Sequence, residues 1–355
     1  MYGEHDYEVL TSAREGLQRQ EDHFGSKQRH DTDGYNIIPF GYCTYRNRSD
    51  DGKFAFNINT ISEKAIVSKF YPVFRFTNAN STFMAEFLNS SPRVKKKLSV
   101  LAVGTSQVVL SFEALKAAKF DLPCKDEQDK IAAFLECLNA RIENQRTLVV
   151  ALKKYKRGVV DGIFSRKLNF SYPQTWAELE ISELFMPISD KGYSDKNVLT
   201  IVQGEGTMPR DSVDRRIAYD KSTISSYKRV LPNDFILHLR SFEGGLEIVN
   251  EEGVVSPAYT ILRARNEIIP LFFYTFFRSY WFINSKLRIS VEGIRDGKSI
   301  NMNTFWHIKV PVPSIEEQRH ISALISSIDN RIKIAEFEYK RLLQIRVGLM
   351  QQLFI

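Results

Sequence analysis

The apolar positions between residues 311 and 355 follow the period of an α-helix. They recur in steps of three and four, at Ile321, Leu324, Ile328, Ile332, Ala335, Tyr339, Leu342, Ile345, Leu349 and Leu353. This stripe predicts a long amphipathic helix that packs on another helix. We expect the helix to begin with a capping box, in which Ser314 accepts a hydrogen bond from the amide of Glu317 and the Glu317 carboxylate accepts one from the amide of Ser314.

A second stretch with the same pattern, residues 122–164, lies 190 residues earlier. The two stretches align without a gap. The paired positions are Pro123 and Pro313, Glu127 and Glu317, Gln128 and Gln318, Ile131 and Ile321, Arg141 and Arg331, Ile142 and Ile332, Leu152 and Leu342, Gly158 and Gly348, and Phe164 and Phe354. All amphipathic helices share apolar spacing, but matching proline, Glu-Gln, Arg-Ile, glycine and phenylalanine positions indicate an internal repeat.

Each predicted helix contains a glycine near its end, at Gly158 and at Gly348. Glycine inside a helix costs about 1 kcal/mol relative to alanine, so its presence at equivalent positions predicts that the two helices cross closely there. Fraying of the last turns is the alternative for Gly348. Two antiparallel helices of about 40 residues would span about 60 Å at 1.5 Å per residue.

The segments between the helices also repeat, more faintly. Pairs at nearly the same offset include Arg48-Ser49 with Arg240-Ser241, Val67-Ser68 with Val255-Ser256, Lys97 with Lys286, Leu98 with Leu287, and Gly104 with Gly293. Short apolar runs at 73–76, 234–239, 246–249 and 259–262 predict strands, and 83–89 and 271–280 predict one helix per segment. The fold class is therefore α+β, with two pseudo-repeated mixed α/β domains separated by two long antiparallel, coiled-coil-like helices. The predicted boundaries are 1–121, 122–166, 167–312 and 313–355.

One difference separates the two globular segments. Residues 165–195 lead into the second segment and contain Trp176 and the pair Leu184-Phe185, whereas Val9-Leu10-Thr11 already matches Val198-Leu199-Thr200. The first segment therefore looks about 30 residues short. A misassigned start, a real deletion, and a piece supplied by another chain are the three explanations.

Composition and motifs favour a binding protein. A net charge of +7 and a pI near 9.1 permit phosphate binding without requiring it. The three cysteines form no C-x-x-C pair and the six histidines are scattered, which fits a reducing compartment and a protein without a metal site. The N-terminus has no signal-peptide pattern and the longest apolar run is too short for a membrane span. The catalytic motifs of serine hydrolases, zinc proteases, P-loop enzymes and amino-methyltransferases are missing from the sequence.

The repeated P-x-x-x-E-Q opening, the Arg-Ile step at Arg141 and Arg331, and the Gly-to-Phe endings resemble specificity subunits of type I restriction-modification systems. The resemblance implies two target recognition domains that each read half of a bipartite sequence in double-stranded DNA. It implies helices that set the spacer and dock two methyltransferase subunits, to which motor-nuclease subunits add, in the cytoplasm and without a membrane. It further implies a subunit that catalyses no reaction and holds no cofactor, with S-adenosylmethionine, ATP and Mg²⁺ on its partners.

Within that resemblance, the candidate DNA contacts are polar residues after strands, in the basic segments and in the divergent turns. They are Arg46, Arg48, Ser49, Lys95, Lys96, Lys97, Thr105, Ser106, Gln107, His238, Arg240, Ser241, Arg295 and Lys298. Arginine forks onto guanine and serine can bond a base edge. A loop-holding salt bridge is the alternative for Arg48 and Arg240, and a solvated helix end is the alternative for the lysines.

Four residues at equivalent helix positions are candidate partner contacts: Gln128, Arg141, Gln318 and Arg331. Pseudo-symmetric placement suits two identical bound subunits. Capping and surface salt bridges are the alternative role for these residues. Two other functions stay open, a structural adaptor without DNA binding and an enzyme with an unrecognised motif. Methylation-site mapping with and without the gene separates these functions from DNA recognition, because only a DNA-recognition subunit predicts loss of one bipartite adenine mark.

Overall fold

The computed structural model describes residues 7–25, 32–168, 175–212, 221–238, 245–293 and 298–354. The chain forms two compact units: the first contains Met1–Thr147 and Glu336–Ile355, and the second contains Leu148–Ala335. Both unit boundaries fall inside the long helices. Each unit therefore combines one globular segment with half of each long helix.

The two long helices are Lys125–Phe164 and Ile315–Leu353. Each carries two acidic residues in its first turn, which complement the helix dipole there. The Ser314 hydroxyl accepts from the amide of Glu317 at 3.2 Å, as predicted. The reciprocal half of the capping box is wrong, because the Glu317 carboxylate instead accepts from the indole N–H of Trp176 at 2.8 Å.

The helix halves pack antiparallel within each unit. In the first unit, Leu138 and Ile142 cluster with Leu342, and the Asn139 side chain accepts from Arg346 at 2.8 Å. In the second unit Lys156 pairs with Asp329 at 2.6 Å. The offset of 190 carries Asn139 onto Asp329 and Lys156 onto Arg346, so the same helix positions meet in both units.

The predicted apolar stripe is correct for most of the second helix but not for its end. Ile321, Ile328, Ile332, Ala335 and Leu342 are buried as predicted. Ile345 and Leu353 are exposed, and the buried positions near this end are instead Met350 and Phe354. The stripe thus moves by one residue after Leu342.

The predicted close approach at the helix glycines is wrong. A Cβ atom built on Gly158 or on Gly348 would meet no atom within 4 Å. Neither glycine is needed for helix packing.

The globular part of the first unit contains small sheets. One sheet has four strands, in the spatial order Gly16–Arg19, Glu8–Ala13, Ala65–Val67, Asn36–Ile37. A second sheet has three strands, in the order Phe56–Ile58, Cys43–Tyr45, Val73–Phe74. In a third, two-stranded sheet, Arg48–Ser49 pairs with Val108–Val109. The helices are Gln20–Phe24, Ser81–Ser90, Pro92–Leu101 and Phe112–Ala117. The basic segment containing Lys95, Lys96 and Lys97 is therefore part of a second helix, not the end of the predicted one.

The globular part of the second unit has a four-stranded antiparallel sheet in the order Phe185–Ile188, Tyr259–Ala264, Phe235–His238, Glu247–Ile248. The two-stranded pairs are Ala177–Glu180 with Lys309–Val312, Leu199–Val202 with Gly206–Pro209, Lys228–Val230 with Gly253–Val255, and Val291–Glu292 with Ser299–Ile300. The helices are Ile181–Leu184, Pro270–Phe277 and Met302–Trp306; Phe282–Lys286 is a π-helix, and Arg210–Ser212, Lys221–Ser226 and Leu287–Ser290 are 3₁₀ turns.

Both units confirm the faint repeat between the globular segments. Leu10 and Leu199 are each buried in the first strand of a hairpin. Each of these hairpins also makes a parallel pairing, Val9 with Ile66 and Val198 with Val254. The α+β fold class with two pseudo-repeated domains is confirmed.

The cores are aromatic and tie each globular segment to the helices. In the second unit Phe272 and Phe276 pack on Phe164 at ring-centroid distances of 5.5 and 5.0 Å. In the first unit Phe354 packs on Phe83 and Phe87 at 5.6 and 5.9 Å. The end of the second long helix thus completes the core of the first unit.

Candidate nucleic-acid interface

In the first unit, one strand pairing assembles most of the predicted DNA-contact residues. Arg48 pairs with Val109 and Ser49 with Val108, which places the turn 104–107 at the Ser49–Asp50 end of this pairing. Gly104 has φ +136°, and a Cβ there would lie 2.3 Å from the carbonyl oxygen of Gln107, so only glycine fits this turn. We call the exposed residues Arg46, Arg48, Thr105, Ser106 and Gln107 the first surface.

Carboxylates hold the loop under the first surface. Gln107 donates to Asp50 at 3.0 Å, and buried Ser49 donates to Asp51 at 2.9 Å. The hydrogen bond from Ser49, followed by the Lys53 amide and Arg14, lowers the pKa of the Asp51 carboxyl to about 2. Because the Ser49 hydroxyl also accepts from the Lys53 amide at 3.0 Å, Ser49 shapes the loop from inside.

Phe70, which was not among the predicted residues, lies beside Arg48 and extends the first surface. Its ring is 53 % exposed, with the Arg48 guanidinium 5.5 Å and the Lys69 ammonium 5.7 Å from its centroid. Among the described residues Arg48 has no carboxylate partner, so the salt-bridge alternative for this residue is not supported. An exposed ring flanked by two cations can stack on a base while the cations meet phosphates.

Phe70 lies in the turn Ser68–Tyr71, and the second unit has an equivalent turn, Ser256–Tyr259. Tyr71 donates its amide to the Ser68 carbonyl at 2.9 Å, and Tyr259 to that of Ser256 at 3.1 Å. The first turn presents Phe70 beside Arg48. The second lies beside His238, whose ring is 5.3 Å from that of Tyr259. The repeated Val-Ser-x-x-Tyr sequence was the signal that could have drawn attention to Phe70.

We call His238, Tyr259 and Lys298 the second surface. His238 ends the strand Phe235–His238 and lies opposite Tyr259. Lys298 is exposed and precedes the strand Ser299–Ile300, which leads to Met302, and the Met302 sulfur lies 4.0 Å from the Thr260 hydroxyl. Burial raises the pKa of the Tyr259 phenol, so it stays a hydrogen-bond donor at neutral pH. The predicted contacts Arg240, Ser241 and Arg295 lie outside the described residues.

The three predicted lysines have different surroundings. Lys95 and Lys96 are exposed on the helix Pro92–Leu101. Lys97 bonds the carbonyl of Lys119 and lies 5.1 Å from the centroid of the Phe120 ring, so its ammonium has a structural role in this unit.

The predicted partner contacts divide into two kinds. Arg141 and Arg331 are exposed, and within the described part of the chain neither has an ion-pair partner. Gln128 and Gln318 are only 3 % and 2 % exposed. The Gln128 amide accepts from Asn80 N at 3.0 Å and donates to the Pro123 carbonyl at 2.9 Å.

The Gln318 amide repeats these bonds with Ile269 N and the Pro313 carbonyl, both at 3.0 Å. Asn80 and Ile269 are the N-cap residues of the helices Ser81–Ser90 and Pro270–Phe277. Both glutamines therefore fasten a globular helix to the start of a long helix, which favours the structural alternative for these two residues.

The described residues contain no group of three or more His, Cys, Asp or Glu side chains that could hold a metal ion. Among the helices in this part of the chain, none is long and apolar enough to cross a membrane.

Comparison with known proteins identifies the family. The model of the type I restriction modification DNA specificity domain matches residues 4–152 and 173–344. The chain belongs to the type I restriction-modification DNA specificity family. The two matched segments correspond to its two target recognition domains.

Two relatives come from Methanocaldococcus jannaschii. A protein provisionally named the type I restriction enzyme MjaX specificity subunit is 22 % identical over 67 % of this chain and 59 % of its own length. The type I restriction enzyme MjaVIII specificity subunit is 27 % identical over 34 % of this chain and 28 % of its own length. The aligned part thus spans less than two thirds of either relative.

Solved structures share the fold. The S subunit of a type I restriction-modification system from M. genitalium has a TM-score of 0.53 at 18 % identity, covering 100 % of this chain and 90 % of that one. A chain from a type I system whose assembly and conformational transition were described has a TM-score of 0.56 at 17 % identity, covering 90 % of this chain and 83 % of that one.

Proposed function

We propose that this chain is the DNA-recognition subunit of a type I restriction-modification complex and reads a bipartite target, one half-site per unit. The observation that carries the proposal is the presence of two matched specificity segments, each with the same Ser-x-x-Tyr turn beside a predicted DNA-contact residue, Arg48 in the first and His238 in the second. Side chains on the two surfaces differ, Arg48 and Phe70 against His238 and Tyr259, so the two half-sites are expected to differ in sequence.

In this proposal the chain contributes binding and no chemistry. Methyl transfer and cleavage are assigned to partner subunits, which would hold S-adenosylmethionine, ATP and Mg²⁺. The long helices are assigned the role of a spacer between the half-sites. The proposed location of the chain is the cytoplasm, because its proposed target is chromosomal or invading DNA.

The long helices also offer surfaces for the methyltransferase subunits. Large apolar side chains are exposed on them: Phe134, Phe337, Leu343, Ile345 and Val347 in the first unit, and Leu148, Val150, Tyr155 and Ile334 in the second. Tyr155 and Ile345 are equivalent positions of the repeat. Exposed apolar side chains in such numbers mark protein interfaces, and equivalent positions suit two copies of one partner.

Methylation-site mapping of a host expressing the chain with its methyltransferase subunit tests the proposal. Arg48→Ala should reduce methylation at the native site about 5- to 100-fold, because one bidentate base contact contributes about 1–3 kcal/mol. It should relax the sequence of one half-site and leave the other unchanged. Arg146→Ala is the matched control, since Arg146 is an exposed helix arginine whose only described ion pair is with Glu143.

Loss of both half-sites together, or an unchanged methylome on deletion of the gene, would contradict the proposal. Docking is tested separately by Tyr155→Asp and Ile345→Asp. Each change should remove one of two bound methyltransferase subunits, as measured by native mass spectrometry, while Lys154→Asp, an exposed neighbour of Tyr155, should keep both.

A further inference from the structure

In the second unit, an extended segment completes the junction between the globular part and the long helix. The strand Ala177–Glu180 pairs antiparallel with Lys309–Val312, just before the helix Ile315–Leu353. Trp176 precedes this strand and donates its indole N–H to the Glu317 carboxylate, which is 4 % exposed. Glu180 lies opposite Lys309 in the pairing.

The equivalent segment of the first unit, residues 119–122, has the same anchors on both sides. A short helix capped by Ser111 precedes it, as one capped by Asn301 precedes Lys309–Val312. The two helices also end in the same way: the Ala118 amide donates to the Leu115 carbonyl, and the Ile308 amide donates to the Phe305 carbonyl.

The carbonyl that follows each segment is bonded by the equivalent glutamine, Gln128 or Gln318. The two segments therefore share their position in the fold. They differ in pairing, because residues 119–122 belong to none of the strands in the described part of the chain.

The second unit shows which backbone groups such a segment offers. Pro311 lies opposite Glu178 and has no N–H, so that pair is not hydrogen-bonded, and the bonded pairs are Val310 with Leu179 and Val312 with Ala177. The Ile181 amide donates to the Ile308 carbonyl at 3.0 Å, which continues the alternation. By equivalence, Phe120 and Leu122 present their N–H and C=O groups to the open edge, and Asp121 does not.

Two side chains beside this edge lack the contacts that their equivalents make. Glu127 is exposed, whereas its equivalent Glu317 is buried under the Trp176 ring. Lys119 is exposed, whereas its equivalent Lys309 has Glu180 opposite it. A carboxylate that can accept an indole N–H and a lysine that can meet a carboxylate thus flank Phe120–Leu122, which pair with no strand of the described residues.

We propose that residues 119–122 are a docking edge for an extended strand from another polypeptide, which would pair with them through backbone hydrogen bonds. The strand carries a tryptophan whose N–H bonds Glu127, apolar residues at alternating positions, and an acidic residue opposite Lys119. This chemistry is that of residues 175–182, which fill the equivalent site of the second unit. The proposal does not depend on DNA recognition.

Hydrogen exchange of the full-length chain with a synthetic capped peptide of residues 175–182 tests the proposal. Saturating peptide should slow exchange of the Phe120 and Leu122 amides at least tenfold and leave that of Asp121 unchanged. The amides of Val310 and Val312 report on the occupied edge and should not respond. A peptide with the tryptophan replaced by alanine should bind about fivefold more weakly, because it lacks the charge-assisted hydrogen bond.

Matched proline variants decide whether the edge is the site. Leu122→Pro removes an edge amide and should abolish the protection at Phe120, whereas Asp121→Pro reproduces the Pro311 position and should bind within about twofold of the parent. Glu127→Ala should weaken binding about fivefold and its neighbour Asp126→Ala should not. Equal protection of all three amides, no protection at 1 mM peptide, or full binding by Leu122→Pro would overturn the proposal.

Discussion

Replacement of the buried glutamines tests how the globular helices are held to the long helices. Gln318→Ala removes two hydrogen bonds and strands the N–H of Ile269 and the C=O of Pro313. Each unsatisfied buried group costs about 1–3 kcal/mol, and the one lost methylene, Cγ, adds about 0.8 kcal/mol. We expect a loss of about 3–5 kcal/mol for Gln318→Ala, and about 2–4 kcal/mol for Gln128→Ala, whose bonds are only partly buried.

The assay must resolve each unit, because two compact units need not unfold in one transition. Native-state hydrogen exchange of the helices Ser81–Ser90 and Pro270–Phe277 gives each value separately. Gln318→Met keeps the apolar volume but strands the same groups, so it should retain most of the loss. Gln352→Ala, at an exposed glutamine of the second long helix, should change stability by less than about 0.5 kcal/mol.

A loss of less than about 1 kcal/mol in both alanine variants, as expected of surface positions, would contradict this prediction. Recovery of the parent stability in Gln318→Met would contradict the part assigned to the hydrogen bonds. In that case side-chain burial, and not the hydrogen bonds, would hold the helix start.

Three further predictions concern backbone and loop geometry. Gly158→Ala and Gly348→Ala should each stabilise the protein by about 0.5–1 kcal/mol in urea denaturation, because an added Cβ meets open space, and a loss of stability would restore the close-crossing idea. Gly104→Ala should destabilise the 104–107 turn and weaken DNA binding, since its Cβ would lie 2.3 Å from the Gln107 carbonyl; unchanged chemical shifts of that turn would contradict this. The pKa of the Asp51 carboxyl is depressed, so its contribution to loop stability is complete above about pH 4 and is lost as the pH falls towards 2. If the hydrogen bond from Ser49 is the main cause, an NMR titration of the Ser49→Ala variant should show a higher pKa for Asp51.

Local pattern allowed the elements of this fold to be predicted, and the repeat allowed their arrangement. The apolar stripe and the Ser314 cap located the second long helix to within a few residues of Ile315–Leu353. Equivalence of the two segments also indicated Arg48 and the 104–107 turn as separate candidates, and only the structure brings them together, through the pairing of Arg48–Ser49 with Val108–Val109.

The predicted side-chain partners were wrong where the actual contacts join residues far apart in sequence. The Glu317 carboxylate bonds Trp176 rather than its own helix start, and the Gln318 amide bonds Ile269. Neither partner is visible from helical periodicity. Phe70 was missed because an aromatic residue in a short apolar run is usually a core residue, and only the structure reveals its exposure.

The composition of the first unit has a consequence for how the protein is made. The second unit is one continuous stretch, Leu148–Ala335, whereas the first needs Met350 and Phe354 to close the cluster around Phe83. During synthesis from the N-terminus, the residues of the second unit are therefore all available before the core of the first can be completed. A nascent chain keeps part of its first hydrophobic core open until translation of the last helical turns, so chaperone binding and ribosome release are expected to control its yield more than the stability of either finished unit.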